Sequence, residues 1–427
     1  MAGVPRFRHR VSCSNARRLH PCLPGGGPTV TRSIIEPEPR SVSPRRMTVP
    51  GSVHAIRVTS PAPREKWREI VGADPSAGPS HLPEWLDCAC DAEGWTDASR
   101  LYDLSNGHRI VVPMVRRSPV RLPRVSRRFD TYASMPRGWS VGGILAAGGA
   151  TSADLSAVLP DLAAIPGIRV LVRPDFSTAC LWSETWSRSR SRIPQRCDVV
   201  APATYILDLT GGFETVWTQR FSSKARSGIR NAQRKSEAAG LVIRSGNSPR
   251  LVSDFYKVYL RWLARRAVER QTPRVLAEWM GRRREPLRRF ETVARVFGDR
   301  SRIWVAYLGD VPVATAYAVY HGTVGMGWRA FSDRELTGSL RTHEQLQVCA
   351  IEYACRIGCL SFDMGQAGGI AGLEHVKNRF GGTAHNVPEF TWEKLPFSTF
   401  GRAFVELRRE LERGSLALHN RRTGQRS

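Results

Sequence analysis

None of the nine cysteines stands in a Cys-x-x-Cys pair. Cys88 and Cys90 make a lone Cys-x-Cys, Cys355 and Cys359 lie four apart, and no second pair or histidine cluster completes a metal site. An odd count without a framework excludes a disulfide scaffold and fits buried thiols in a reducing compartment, the cytoplasm. Neither a zinc ion nor any other bound cofactor is expected. No apolar run approaches the ~18 residues that a membrane-spanning helix needs. A secretory signal is also missing, because "LHPCLPGGGPTV", after the N-terminal arginines, is no apolar core. Acidic residues are scarce: 38 Asp and Glu face 64 Lys and Arg, a formal charge of +26. That balance favours partners carrying phosphate, whether nucleic acid, anionic lipid headgroups or phosphorylated small molecules. It says nothing about fold.

The 427 residues are 41% hydrophobic, with 12 Trp and 15 Phe, enough for two or three domains with buried cores. Residues 1–60, including "RFRHRVSCSNARR" and "EPEPRSVSPRR", lack apolar periodicity and are expected to be a disordered basic segment, with Met47 an alternative start. From about residue 62 the punctuation becomes regular. "LYDLSNGHRIVVPMV" places Asn106-Gly107 between two extended runs, a hairpin signal. "SADLSAVLPDLAAI" reads as a helix, "IRVLVRP" as a strand, and "TYILDL" as a strand closing the first half.

The second half repeats this grammar. "FETVWTQRFSSKARSGIRNAQRKSEAAG" predicts one long helix, with Phe213, Trp217, Phe221, Ala225 and Ile229 in a ridge and Gly240 as its C-terminal cap. Two helices are expected over 250–298, then a hairpin at Gly309-Asp310, a third strand, a helix over 340–357, the strand "LSFDMG", the strand "EFTWEK" and the amphipathic run "TFGRAFVELRRELE". The pattern predicts two α/β (α+β) domains, 61–205 and 206–415, each a mixed, mostly antiparallel sheet flanked by helices, followed by a basic tail, 416–427.

Three segments in order, "WTQRFSSKARSGIRNAQRKSEAAGLVI", "VAYLGDVPVATAYAVY" and "SFDMGQAGGIAGLEHVKNRFGG", resemble the C-terminal half of Fem-like acyltransferases of the GNAT superfamily. "SMPRGWSVGGILA" and "DLTGGFETVW" resemble the N-terminal half of the same group. The resemblance covers about 80–395 and implies tandem GNAT-like domains with a cleft between or beside them. It also implies attack by an amine on an activated acyl carbonyl, carried by acyl-coenzyme A or by aminoacyl-tRNA. The expected function is N-acyl transfer onto an amine of a cell-envelope, peptidoglycan or polysaccharide-related precursor. One departure concerns the donor. The Gln/Arg-x-x-Gly-x-Gly/Ala turn that holds pyrophosphate in coenzyme A-dependent GNAT enzymes is not present in "RELTGSLRTHEQL". That leaves room for a tRNA donor.

Aminolysis needs a cation or N–H groups facing the developing oxyanion, and a base for the amine proton. Lys377, which matches the lysine of the apolar-Lys-x-x-Phe-Gly motif, fits the first role; Phe380 and Gly365 belong to the same glycine-rich stretch and are assigned to substrate. Asp363 matches the motif aspartate at the end of a strand and is a catalytic candidate or a loop holder. Glu374 is placed to pair with Lys377. Arg226 and Arg230, four apart on a helix and extended by Lys224 and Arg234, suit a diphosphate or nucleic-acid backbone. Arg329 can point into the cleft, while Trp328 beside it reads as core. The segment 261–302 carries thirteen arginines against five acids and suits tRNA or an anionic membrane at the inner face; its Trp and Phe read as core. The competing reading is a non-catalytic basic module docking to RNA or anionic membrane on the same scaffold.

Overall fold

The computed structural model describes residues 53–118, 127–193 and 196–394, together with the strand Ser41–Val42. Met47, the run 399–412 and the tail 416–427 lie outside the described residues. The first half runs through β1 (Ser41–Val42), β2 (Ala55–Thr59), α1 (Arg64–Ala73), α2 (Pro83–Glu93), β3 (Thr96–Asp97), β4 (Arg100–Leu104), β5 (Arg109–Val112), β6 (Val115–Arg117), β7 (Thr131–Ala133), β8 (Leu145–Ala146), α3 (Ser152–Ala163), β9 (Arg169–Val172), α4 (Ala179–Ser189) and β10 (Cys197–Val200). The second comprises β11 (Ala203–Asp208), α5 (Gly212–Thr215), α6 (Ser223–Ala238), β12 (Leu241–Gly246), α7 (Pro249–Glu269), α8 (Arg274–Arg284), α9 (Leu287–Phe297), β13 (Ser301–Leu308), β14 (Val311–His321) and β15 (Val324–Ser332). It continues with α10 (Arg334–Thr337), α11 (Thr342–Arg356), β16 (Ser361–Gln366), α12 (Ala371–Arg379), β17 (Thr383–Asn386) and β18 (Glu389–Glu393).

The strands form three sheets, ordered β1-β2-β4-β5-β8, β10-β18-β9-β7-β6-β3 and β12-β13-β14-β15-β16-β11-β17. Pairing is antiparallel throughout except for β7 with β9 and β15 with β16. The mixed, mostly antiparallel α/β fold expected from the sequence is therefore present. One apolar cluster fills the space between the two smaller sheets with α3 and α4, around Tyr102, Leu159 and Trp182. A second covers one face of the large sheet with α6 and α11, around Trp217, Trp304 and Ile351. The third joins the halves. Trp85 of α2 meets Trp139, Phe297 and Trp328 edge-on, with ring centroids 5.4, 5.4 and 5.0 Å away. Four large rings shared between two halves bury apolar area that neither half covers alone.

Several expectations are corrected. Ala55–Thr59, inside the segment expected to be disordered, is a strand paired with β4. "TYILDL" does not close the first half. As β11 it lies between β16 and β17, and Tyr205, Leu207 and Leu209 fill the second cluster. The strand "EFTWEK" instead returns to the first half as β18, where Phe390 and Trp392 pack with Trp182 and Trp186.

The long helix is broken at Phe221, which is extended, because Ser222 starts a new helix by accepting from the Ala225 amide at 3.1 Å. Its apolar ridge survives the break and reaches one core. Gly240 ends α6 at φ 68, as expected. The region 250–298 holds three helices rather than two, since Pro273 and Pro286 each open a new one.

Candidate active cleft

β15 and β16 run parallel, but they pair only from Val324↔Ser361 to Met326↔Asp363. Beyond that point β15 stays with β14 and β16 with β11, so the two strands part like the arms of a V. Both neighbouring pairings change register there, β14/β15 between Tyr317 and Ala318 and β11/β16 between Thr204 and Ile206. Bulges bend strands and re-aim side chains, and the carboxyl ends of parallel strands are where α/β sheets open crevices. Loops 76–81, 138–141 and 173–176 of the first half roof the V and complete a cleft of about 460 Å³.

Asp363 sits at the fork. Its Oδ1 accepts from the Gly365 amide at 2.7 Å and from Thr204 Oγ1 at 3.1 Å. The half-buried carboxyl borders the cleft, and desolvation there pushes its pKa above the ordinary value despite those hydrogen bonds and the nearby Lys377.

Lys377, on α12, also lines the cleft. Its Nζ donates to the carbonyls of Met364, Gly365 (2.6 Å) and Gln366 (3.4 Å), and lies 5.5 Å from the Tyr205 ring centroid. Three donors meet three acceptors, so in this state the ammonium is a pin for the β16–α12 loop, with no N–H left over for an oxyanion. Burial lowers its pKa to about 8, against the pull of Asp363. No ion pair joins it to Glu374 among the described residues; the carbonyls take that place.

Arg329 is held in the cleft wall by Glu285, at 3.0 and 3.1 Å from Nε, and by the carbonyls of Trp328 and Gly138, both at 2.7 Å. Gly365 lines the cleft in the left-handed region, φ 74. Trp328 is 5% exposed, as the core reading expected.

The other three substrate candidates lie elsewhere. Arg226 is turned back onto the broken helix, where Nη1 donates to the carbonyls of Thr218 (2.7 Å) and Phe221 (2.6 Å). Those carbonyls lost their helical partners at Phe221, which is why the guanidinium goes there. Arg230 is exposed, 5.8 Å from the Trp217 ring centroid. Phe380 is fully buried, its ring 4.8 Å from that of Phe221, and cannot touch a ligand. Gly381 follows it because a Cβ there would lie 2.6 Å from the Arg220 carbonyl.

Among the cleft residues that the sequence reading missed are His81, Arg173, Asp175 and His343. His81 Nδ1 accepts from the Gly78 amide at 2.9 Å, which leaves the proton on Nε2, 3.0 Å from the Gly142 carbonyl and 3.2 Å from Asp175 Oδ2. Asp175 Oδ1 accepts from the amides of Ser177 (2.7 Å) and Thr178 (3.0 Å), while Oδ2 is buried without a well-formed hydrogen bond. Burial opposes ionisation of Asp175, but His81 and these donors outweigh it and hold the pKa below the ordinary value. Arg173 donates from Nε to Glu389 (3.0 Å) and from Nη1 to the Ser140 carbonyl (2.5 Å). His343 opens α11 with no hydrogen-bond partner among the described residues; burial, then Lys377 and Arg334, lower its pKa to about 4, so it is neutral at pH 7. The Asp-x-Ser of "RPDFS" before a helix was a readable cap signal for Asp175. Nothing local marks the others, which the cleft assembles from distant loops.

Two further features mark the N-terminal end of α11, the helix that carries His343. Arg341, at φ 46, is a non-glycine residue in the left-handed region and starts α11 without a side-chain cap. Thr342 Oγ1 beside it is buried and unpartnered. The stretch in which the sequence lacks the pyrophosphate turn is a strained entry into a 15-residue helix. Among the described residues no cluster of His, Cys, Asp or Glu could hold a metal ion.

No curated protein matches the chain. Residues 223–376 match the family model described as an acetyltransferase (GNAT) domain. Among solved structures, FemX aligns at TM-score 0.53 with 11% identity, covering 78% of this chain and 96% of FemX. L-PGS from Bacillus licheniformis aligns at TM-score 0.43 with 13% identity over 77% of this chain and 96% of that one. A tandem GNAT protein from the clavulanic acid biosynthesis pathway aligns at 0.39 with 14% identity over 79% and 98%. These last two add nothing to the fold assignment. The segment that builds the V thus matches a GNAT acetyltransferase domain model, and the chain shares its fold with FemX.

Proposed function

We propose that this chain transfers an acyl group from a coenzyme A thioester to a primary amine of a cell-envelope, peptidoglycan or polysaccharide-related precursor. The observation that carries the reading is the parting of β15 from β16 at Met326 and Asp363, which leaves two strand edges facing a roofed cleft. The donor's arm carries amides, and an open strand edge offers backbone groups to pair with them. Its diphosphate would lie at the N-terminus of α11, where unpaired amides and the helix dipole favour an anion. Aminoacyl-tRNA is the other donor, favoured by the absence of the usual turn and by the basic composition.

Within the cleft the acceptor enters as an ammonium, drawn between Asp175 and Asp363. Asp363 takes its proton, since burial has made this carboxylate a better base than a solvated one. The free amine attacks the thioester carbonyl; the C–N bond forms as the C–S bond breaks, and the thiolate leaves with a proton. Lys377 fixes the glycine loop and adds positive potential beside the oxyanion. His343, neutral and unpartnered, and Gln347 one turn along α11 are further polar groups of the cleft.

Calorimetric titration of the full chain with a panel of acyl-coenzyme A thioesters tests the donor. Saturable micromolar binding that survives moderate salt supports a thioester. Binding that vanishes with salt, or none, overturns it in favour of charged tRNA.

A further inference from the structure

Helix α8 is built the wrong way round for a helix of a soluble core. Gly281 is its one buried residue, and Leu263 of α7 packs so close that a Cβ there would lie 2.2 Å from Leu263 Cδ1. The Tyr259 hydroxyl completes that contact by donating to the Gly281 carbonyl at 3.0 Å. At about 100° per residue, Val275, Leu276, Trp279 and Met280 form one stripe centred roughly 170° away from Gly281. They are 82, 45, 57 and 55% exposed. Val268, at the end of α7, is 76% exposed as well. The expectation that the aromatics of this region are core holds for Phe290 and Phe297 and fails for Trp279.

The charges around the stripe have one sign. Arg270, Arg282, Arg283 and Arg284 are exposed and have no acidic partner among the described residues, and Arg283 lies 5.5 Å from the Trp279 ring centroid. The nearby acids are already neutralised: Glu269 by Arg265 at 3.2 Å and Arg266 at 3.3 Å, Glu278 by Arg274 at 2.8 Å.

We propose that α8 docks this chain onto an anionic lipid surface, with the stripe in the acyl boundary and the arginines on the phosphates. A lipid interface satisfies both halves of the pattern: it takes aliphatic side chains and a tryptophan at one depth and guanidinium groups at the next. RNA would use the arginines but leave Val275, Leu276 and Met280 against a charged backbone. A second copy of the chain would bring like charge onto like charge. The proposal does not depend on the acyl-transfer reading.

Flotation of the full chain with vesicles of phosphatidylglycerol mixed with phosphatidylcholine, and with vesicles of phosphatidylcholine alone, provides the test. The wild type is expected to float with the first and not the second. The double variant Leu276→Ser/Met280→Ser keeps every charge, and is expected to bind about tenfold or more weakly with an unchanged melting temperature. Val275→Ser/Trp279→Ser serves as the second variant. No flotation of the wild type overturns the proposal, as does equal flotation of wild type and variants. Melting temperatures lowered by several degrees in both variants would show that the same chain covers the stripe. A wild-type dimer abolished by the variants would assign the face to a second copy. RNA that displaces wild type and variants alike would reduce the surface to a polycation.

Discussion

Arg329 Nη2 donates to the carbonyl of Gly138 at 2.7 Å while its Nε holds both oxygens of Glu285. One side chain therefore ties the cleft wall on β15 to the roof contributed by the first half and to the turn between α8 and α9. Trp328 Nε1 reaches the same carbonyl at 3.1 Å. Arg329→Ala leaves the half-buried Glu285 carboxylate without that partner and is expected to cost about 1–3 kcal/mol in a denaturant titration. It should also lower kcat/KM, because the roof is no longer held. Unchanged stability would mean that the tether is ornamental.

Asp363→Asn keeps the shape of the fork and removes the base. Turnover should fall about 10²–10⁴-fold with little change in KM, measured with the donor identified by calorimetry. The same variant has a stability consequence. A carboxyl whose folded pKa is raised makes the fold less stable as pH climbs from the unfolded value near 3.8 through the folded one. Wild type should therefore lose stability relative to Asp363→Asn over that rise, and parallel pH profiles would contradict the assignment.

Lys377 titrates in the opposite sense from a paired lysine. Its folded pKa of about 8 lies below the unfolded 10.5, so the unfolded chain holds more protons between those limits and stability contributed by this site rises with pH across that window. Melting temperatures of wild type minus Lys377→Met should climb between pH 8 and 10.5. A flat difference would show an ordinary solvated lysine. The variant should also be inactive, through a loosened loop, with Lys377→Arg unable to restore three carbonyl contacts in the same space.

Arg226 and Arg230 separate folding from binding. Arg226→Ala frees the carbonyls of Thr218 and Phe221, at about 1–3 kcal/mol, whereas Arg230→Ala should cost less than about 0.5 kcal/mol. Neither should alter donor affinity measured by calorimetry. A large loss of affinity for either would return these arginines to the substrate.

The periodic elements were legible because they are local. The hairpins at Asn106-Gly107 and Gly309-Asp310, the helix ending at Gly240, and the strand leading to Asp363 all follow from neighbouring residues. Asp363, Gly365, Arg329 and Lys377 could be picked out as cleft residues for the same reason: they lie on one strand pair and the loop and helix after it. His81, Arg173 and His343 could not be found that way, since they meet only when loops 76–81 and 173–176 fold over α11. Phe380 and Arg226 misled for a matching reason. A motif fixes residue type, and a backbone break at Phe221 decided which way each side chain turned.

The position of β18 between β10 and β9 has a consequence for synthesis. Those two strands leave the ribosome nearly 190 residues before the strand that joins them, an interval on the order of ten to forty seconds at ordinary elongation rates. Throughout it the nascent first half carries a slot lined by Trp182 and Trp186, waiting for Phe390 and Trp392. A gene cut between the two sheets would release a fragment with that slot open for good, and sticky to any passing strand.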